Sequence, residues 1–203
     1  DVEAALTAHV ERPKLTSQEE RVVAIHECGH AVTALYSEHV PSVQRITILG
    51  DLGGTLGHMR LEDPVNRQVT TRNQLLDRLV VAFGGRAAEQ VLLDDISTGA
   101  AGDVENATRI ARYFVEVAGL SDLGLTSFLV GKPADQTKAL VDDTVRNLLQ
   151  EAEERALTII REHRSEVEAL AGELLRTKTI DATGLAQFTS ARTSSSGAGG
   201  SLG

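Results

Sequence analysis

VVAIHECGHAVTAL, residues 22–35, places two histidines four positions apart and a glutamate directly after the first. Apolar residues in this stretch are too dense for a helix with only one buried face, so it predicts a helix that is buried on most sides. His26, Glu27 and His30 therefore fall where a polar side chain without a partner is costly.

On a helix, His26 and His30 lie on one face and can direct both imidazoles at a single ion. Glu27 then lies beside that ion, where it can take a proton from an activated water, as in the H-E-x-x-H pattern of zinc peptidases. The alternative is that the two histidines only satisfy hydrogen bonds in a buried helix. Each buried polar group left unsatisfied costs about 1–3 kcal/mol, and the intervening carboxylate favours the metal. Cys28 lies about 200° around the helix from His26 and is expected to be an inert core side chain.

A catalytic zinc usually has three protein ligands and one open position, so one ligand must come from elsewhere. The longer H-E-x-x-H-x-x-G-x-x-H pattern fails, because Thr33 and Tyr36 occupy its last two places. Asp103 stands out because it follows a glycine-containing loop at a predicted helix start, although it could equally be an N-cap. The downstream candidates are His39, His58, Glu62, Glu89, Asp94, Asp95, Asp103 and Glu105. Asp94, Asp95 and Glu105 are also weak candidates for orienting the imidazoles.

Composition favours a helical globular protein. The 203 residues are 41% hydrophobic but only 3% aromatic, with no Trp, so the core is built from Leu, Val, Ile and Ala. A formal net charge of -9 argues against general nucleic-acid binding and against an anionic membrane surface. Cys28 is the single cysteine, which excludes an intrachain disulfide and makes a reducing, cytosolic setting the default. The chain has no run of 18 apolar residues, and its opening resembles the end of a helix, as expected for a fragment.

The pattern along the chain predicts a mainly α fold with a small β element beside the active site. Thr16 or Ser17 should cap the first helix, Gly119 should end a later one, and Asp181 should cap a short helix ending near Phe188. Gly84-Gly85 is expected to interrupt the second helix for tight contact. Strands are predicted over 43–50 and 53–61, and helices over about 70–92, 103–117 and 137–176, the last broken near 162–167.

Six blocks carry a resemblance to a known family. In order they are HECGHA, GGTLGH, LLDRLVVAFGGRAAEQ, ISTGAAGDVENATRIAR, AGLSDLGLTSF and EAEERALTIIREHRSEVEALAGELL. Over roughly residues 1–188 the chain resembles the peptidase domain of FtsH-type ATP-dependent zinc metalloproteases. The resemblance implies Zn²⁺ as cofactor, with His26, His30 and Asp103 as ligands and Glu27 as the catalytic residue.

The resemblance also implies a strand along the active-site cleft with which an unfolded substrate pairs. The matching residues are Gly54, Thr55, Leu56, Gly57 and His58, and close approach of the substrate backbone would explain Gly57. Two positions depart from the family, which usually has Ala in place of Cys28 and an aromatic residue in place of His58. His58 could contact substrate or act as an extra metal ligand, but a plain strand surface position is the simpler interpretation.

The implied protein is larger than this chain. Members of the family carry an AAA-type ATPase module, often with membrane anchors, and assemble into homo-oligomeric hexameric rings, with the peptidase on the cytoplasmic face. This chain has no phosphate-binding G-x-x-x-x-G-K-[ST] loop. We expect residues 1–14 to be the end of such a module or a linker, 15–190 the zinc metallopeptidase domain, and 191–203 a flexible Ser/Gly-rich tail.

The predicted function is zinc-dependent hydrolysis of peptide bonds in unfolded or extended polypeptides, with loose sequence preference. One rival is a non-catalytic helical oligomerisation module with a vestigial or structural metal site. Another is a zinc peptidase of a different family in which Glu89 supplies the third ligand.

Overall fold

Helices account for most of the described chain, which confirms the mainly α prediction. The computed structural model describes residues 15–50, 56–62, 69–125, 127–128 and 130–188. The helices are α1 (Ser17–Leu35), α2 (Arg72–Leu93), α3 (Ala101–Arg112), α4 (Asp135–Glu162) and α5 (Arg164–Thr177), followed by a helical segment over 182–188. Residues 1–14 and the Ser/Gly-rich tail lie outside the described residues, so the proposed domain division stays a prediction.

Helix α1 begins with a capping box at Thr16. The Thr16 hydroxyl accepts a hydrogen bond from the Glu19 backbone amide, and the Glu19 carboxylate accepts one from the Thr16 amide at 2.7 Å. This pairing satisfies donors that the first helical turn otherwise leaves free, and it selects Thr16 over Ser17 as the cap. Every residue from 24 to 34 is buried, as the dense apolar pattern predicts.

Helices α1 and α2 approach each other closely through glycines. A Cβ atom at Gly29 would lie 2.3 Å from the Gly84 carbonyl oxygen, and one at Gly84 would lie 2.7 Å from the Gly29 carbonyl oxygen. The predicted tight contact is therefore confirmed, but the predicted interruption at Gly84-Gly85 is wrong because α2 runs through it. Glycine weakens a helix by only about 1 kcal/mol relative to alanine, which packing of this extent offsets.

A three-stranded antiparallel sheet lies against α1. Its strands are β1 (Val43–Thr47), β2 (His58–Leu61) and β3 (Thr179–Asp181), in the order β2-β1-β3. Thr47 pairs with His58 on one side of β1, and Ile46 pairs with Ile180 on the other. Strand β1 is shorter than predicted, and β2 begins at His58 within the described residues, whereas residues 53–55 of the predicted strand lie outside them. Strand β3 was not predicted, because three residues are too few to establish an alternating pattern. The outer edge of β2 is unpaired among the described residues.

The remaining helix ends follow the sequence pattern with small shifts. Helix α3 continues as a π-helical turn over Tyr113–Val117, and Gly119 then adopts a left-handed φ of 60°, as expected for a residue that ends a helix. His163 separates α4 from α5, within the predicted break. The Asp181 carboxylate accepts a hydrogen bond from the Gly184 amide at 2.9 Å, which confirms it as the cap of the last helical segment.

The core joins both layers of the fold. Its fully buried side chains include Val32 of α1, Ile46 of β1, Leu79 of α2 and Leu174 of α5. Within the described ranges, no helix combines the length and the apolar character needed to cross a bilayer. The buried side chains pack α1, with its two histidines, between α2, α5 and the sheet.

Candidate metal centre

Three potential ligand atoms from two helices converge at one point. Nε2 of His26 lies 3.0 Å from Nε2 of His30, and Asp103 Oδ2 lies 3.1 Å from the first and 3.4 Å from the second. The histidines come from α1, whereas Asp103 comes from the first turn of α3. The structure thus brings Asp103, among the eight downstream candidates, to the two imidazoles.

The donor chemistry of this cluster fits a metal ion. Three atoms that carry lone pairs repel one another at these separations unless a proton or a cation lies among them. Ligand atoms about 2.0–2.1 Å from a tetrahedral zinc ion are separated by about 3.3 Å, close to the spacing found here. His26, His30 and Asp103 also form the group that could hold a metal ion within the described part of the chain.

Hydrogen bonds at the far side of each imidazole orient the two rings. Nδ1 of His26 donates to Glu89 Oε1 at 2.6 Å, and Nδ1 of His30 donates to the Val81 carbonyl oxygen at 2.7 Å. Because carboxylate and carbonyl oxygens only accept hydrogen bonds, both Nδ1 atoms carry a proton, and the Nε2 atoms are the ring atoms directed at the cluster. Ser97 in turn donates to Glu89 through its backbone amide and its hydroxyl, which fixes that carboxylate.

Glu89 is the functional residue whose role sequence reasoning missed. It was considered as a ligand, whereas both of its oxygens are occupied by His26 and Ser97 on the far side of the ring. The weak prediction that Asp94, Asp95 or Glu105 orients the imidazoles is wrong, because Glu89 and Val81 perform that task. A glutamate only 1% exposed in an otherwise apolar helix face was the available signal.

The remaining ligand candidates lie elsewhere or have other contacts. His39 Nδ1 pairs with Asp77 at 2.9 Å, and Asp95 accepts a hydrogen bond from the Ile96 amide. Asp94 ends α2 in a left-handed conformation, and Glu105 is exposed on α3. His58 and Glu62 line the cleft beside the cluster.

Asp103 is not the N-cap of α3. Ala100 occupies that position, with no side-chain cap, and the Asp103 carboxylate instead faces the imidazoles. Contacts with the two histidines, and not capping of α3, therefore determine where this carboxylate lies.

Opposite charges within the cluster shift its pKa values strongly. Burial lowers the pKa of His26, but hydrogen bonds with Asp103 and Glu89 outweigh burial and raise that pKa to about 10. Burial raises the pKa of Asp103, but hydrogen bonds and charge interactions with His26 and His30 hold it well below the usual range. Since a metal binds neutral imidazole, metal binding here must displace a proton and will be pH-dependent.

Glu27 lies next to the cluster and faces the cleft. Its carboxylate lines the cavity and makes no hydrogen bond to any residue in the described ranges. Burial raises its pKa above the ordinary value, although the imidazoles of His30 and His26 oppose that shift. A carboxylate with a raised pKa and no hydrogen-bond partner in the described structure is suited to accept and return a proton.

The cluster opens into a cleft of about 790 Å³, with β2 along one wall and α2 and α3 along the other. This arrangement confirms the predicted β element beside the site. Gly57 and His58 line the cleft, and Leu56 is 38% exposed next to them. Gly54 and Thr55, predicted with them as substrate-binding residues, lie outside the described residues.

Contacts within the domain already account for glycine at position 57, and the predicted approach of a substrate backbone stays a prediction. A Cβ atom there would lie 2.7 Å from Val23 Cγ1 and 3.1 Å from Glu27 Cγ. Glycine is therefore required for the close packing of this segment on α1, and the approach of a substrate is not needed to explain it. Cys28 is fully buried in the core, which confirms that it faces away from the cluster, and burial raises its pKa.

A buried helix bearing H-E-x-x-H, a carboxylate supplied by a second helix and an open cleft along a sheet edge together define a helical domain of the metallopeptidase class. The comparison with known families agrees with this class. The chain belongs to peptidase family M41, which it matches over residues 13–188.

Named relatives extend the comparison. The chain is 35% identical over 182 residues to ATP-dependent zinc metalloprotease FtsH 1 of Methylacidiphilum infernorum, covering 83% of this chain and 29% of that protein. It is 40% identical over 182 residues to FtsH of Acidothermus cellulolyticus, covering 82% and 27%. Human YME1L1, also named an ATP-dependent zinc metalloprotease, is 36% identical over 173 residues, covering 83% and 22%. The chain thus spans less than a third of these relatives, and Zn²⁺ is its expected cofactor.

Proposed function

We propose that this domain is a zinc-dependent endopeptidase that hydrolyses peptide bonds in unfolded or extended polypeptides. The observation that carries the proposal is the convergence of His26, His30 and Asp103 beside Glu27 in an open cleft. Membership of peptidase family M41 supports the reaction class.

Each side chain then has one role. Zinc bound by His26, His30 and Asp103 would lower the pKa of a water molecule and polarise the scissile carbonyl. Glu27 accepts the proton of the attacking water and delivers it to the leaving amine, which its raised pKa favours. Glu89 holds the His26 imidazole in the tautomer that leaves Nε2 free.

An extended substrate fits the β2 wall of the cleft. The outer edge of β2 carries no partner strand in the described structure, so its backbone groups are available to a peptide lying beside it. We include Gly54, Thr55, Leu56, Gly57 and His58 in this substrate-binding segment. Strand pairing reads the backbone, so the side-chain preference should be loose.

We further propose that the domain is the proteolytic part of an ATP-dependent protease. The names of the relatives support an AAA-type ATPase as partner, because each is called an ATP-dependent zinc metalloprotease. Assembly into a homo-hexameric ring, the cytoplasmic face as location and membrane anchoring of a longer protein rest on the family resemblance. Alone, the domain should cut peptides and unfolded chains but not unfold a folded protein.

Replacing Glu27 with glutamine tests the catalytic role. Glu27→Gln keeps the size of the side chain but removes the base, so cleavage of casein should fall to background while zinc remains bound in wild-type stoichiometry. The assay pairs casein degradation, with and without a chelator, with zinc content. Absence of chelator-sensitive degradation by the wild type, even with the ATPase partner added, would instead favour the non-catalytic oligomerisation module.

Asp103→Ala and Glu89→Ala together test the ligand set. We expect Asp103→Ala to weaken zinc binding more than Glu89→Ala, because the Asp103 carboxylate contacts both Nε2 atoms whereas Glu89 contacts only Nδ1 of His26. Full zinc affinity in Asp103→Ala would return Glu89 to consideration as the third ligand.

A further inference from the structure

Helix α2 presents to the cleft one guanidinium group that has no partner among the described residues. Arg78 of α2 is half-buried and lines the cavity, yet it forms no ion pair or hydrogen bond with any described residue. The other two arginines of α2 both have partners. Arg72 donates to the Leu120 carbonyl oxygen at 3.2 Å, and Arg86 donates to Glu153 at 2.9 Å.

This difference matters because the chain has more acidic than basic residues, 29 against 20, so carboxylate partners are abundant. Arg60 of β2, which also lines the cleft, already has an interaction partner. Among the described residues, Arg78 is therefore the cleft guanidinium that remains available for a ligand. Its planar guanidinium presents several N–H donors in a fork that matches the two oxygens of a carboxylate.

Helical register relates Arg78 to the catalytic cluster. Arg78, Val81 and Gly85 lie on one face of α2 by helical spacing; on this face the Val81 carbonyl oxygen accepts from His30, and a Cβ atom at Gly85 would meet the His26 ring. Arg78 precedes Gly85 by seven positions, which is roughly 10 Å along the helix axis. An extended peptide advances about 3.3 Å per residue, so this distance corresponds to about three substrate residues.

Neighbouring contacts identify which end of the cleft Arg78 occupies. Asp77 accepts a hydrogen bond from the His39 amide at 3.1 Å, which ties this part of α2 to the segment containing Pro41. Pro41 also lines the cleft, and Leu61, the last residue of β2, pairs with Val43 just beyond it. Arg78 therefore lies towards the end of the cleft where β2 finishes, away from Gly57 and Glu27.

We infer that Arg78 is a specificity-determining residue that binds a carboxylate of the substrate about three residues from the scissile bond. The inference rests on the proposed endopeptidase function and adds to it a preference for acidic segments at one subsite. An acidic side chain and the carboxylate at a peptide C-terminus share this chemistry. A planar guanidinium can contact both oxygens of either carboxylate.

The size of the effect follows from the exposure of the site. A partly exposed ion pair contributes at most about 1 kcal/mol, which corresponds to about a fivefold preference. Such a preference is compatible with an otherwise loose recognition of extended backbone. It is also large enough to be measured in a pair of matched peptides.

The test uses quenched fluorogenic peptides that differ only in Glu or Gln. One pair carries the change at the third residue before the scissile bond and another at the third residue after it, and all are amidated at the C-terminus. A further pair tests the C-terminal carboxylate as the bound group. Both peptides end with Gln at the third residue after the scissile bond, and one has a free C-terminal carboxylate whereas the other has an amide. Mass spectrometry of the products verifies that the same bond is cut in every peptide.

The variants are Arg78→Gln and Arg78→Lys, with Arg109→Gln as the matched control. Arg109 is an exposed arginine of α3 whose neighbour Ile110 lines the cleft, so its removal changes the net charge equally near the site. Two quantities are measured for each protein: the ratio of kcat/KM between paired peptides, and the ratio of their binding affinities in the Glu27→Gln background by fluorescence anisotropy.

We expect one carboxylate peptide to be preferred about fivefold in both measurements, with the ratio falling to about one in Arg78→Gln and persisting in Arg109→Gln. Arg78→Lys should retain part of it, because lysine keeps the charge but loses the planar fork. Equal binding of paired peptides by the wild type, or a preference that survives Arg78→Gln, would overturn the inference. An Arg78-dependent binding preference without cleavage would contradict the endopeptidase proposal and leave the carboxylate site standing.

Discussion

Replacing Gly85 with alanine should weaken zinc binding without unfolding the domain. A Cβ atom at Gly85 would lie 2.6 Å from both Cε1 and Nε2 of His26, whereas ordinary contacts begin at 3.4 Å. The imidazole must therefore move by about 0.8 Å, while productive metal–ligand distances tolerate deviations of only about 0.2 Å. Because Glu89 holds the other side of the ring, movement also strains that hydrogen bond.

The expected loss is at least about 10–100-fold in zinc affinity, the range observed when the orienting partner of a ligand is removed. The assay is competition for zinc with a chromogenic chelator. Circular dichroism and thermal unfolding of the metal-free protein, recorded in parallel, separate a displaced ring from an unfolded chain.

Two other glycines provide controls. Gly84→Ala places a Cβ atom 2.2 Å from Thr33 Oγ1, at the contact between α1 and α2, so it should lower the free energy of unfolding by about 1–3 kcal/mol. Gly172→Ala in α5 meets no atom within 4 Å and should be neutral or slightly stabilising. Zinc affinity of Gly85→Ala within about threefold of the wild type would refute the proposed coupling between this helix contact and the metal.

Two further predictions concern buried carboxylates. Glu89→Gln should lower zinc affinity by about tenfold, because the amide still accepts from His26 Nδ1 but without a charge, and the same chelator competition measures it. Asp77→Ala should lower the free energy of unfolding by about 2–3 kcal/mol, since this buried carboxylate accepts from His39 at 2.9 Å and from Arg155 at 3.0 Å. Burial raises the pKa of Asp77, but these partners hold it below the ordinary value, so its contribution is present at neutral pH and is lost as the pH falls below about 4. Denaturant unfolding at pH 7 and at pH 3 should therefore show a difference between Asp77→Ala and wild type that shrinks in acid; a difference independent of pH would contradict the assignment.

Local patterns predicted the helices well, because helix ends depend on residues close in sequence. The Thr16 capping box, the left-handed Gly119 and the Asp181 cap all involve partners within three or four positions. The break around His163 likewise follows from local periodicity.

The errors arose where distant segments meet. Gly84 and Gly85 were expected to break α2, but their function is to admit α1, a contact that periodicity within α2 cannot reveal. At Gly57 the contact with Val23 of α1, which local pattern also cannot reveal, already requires glycine, and the role in substrate binding stays a prediction. Strand β3 exists because β1 offers it hydrogen bonds, and its three residues carry little strand pattern of their own.

The residues of the candidate metal centre also fall into two groups: those that local sequence places together and those that tertiary packing brings to them. The sequence alone places His26, Glu27 and His30 together in the middle of one buried helix, because residues four apart on a helix are neighbours whatever the rest of the chain does. Tertiary packing is what brings Asp103, 77 positions from His26, to these residues and places Glu89 behind the His26 ring. The direction of those two carboxylates depends on how closely α1 packs on α2 and where α3 then begins, and that packing is a property of the whole core.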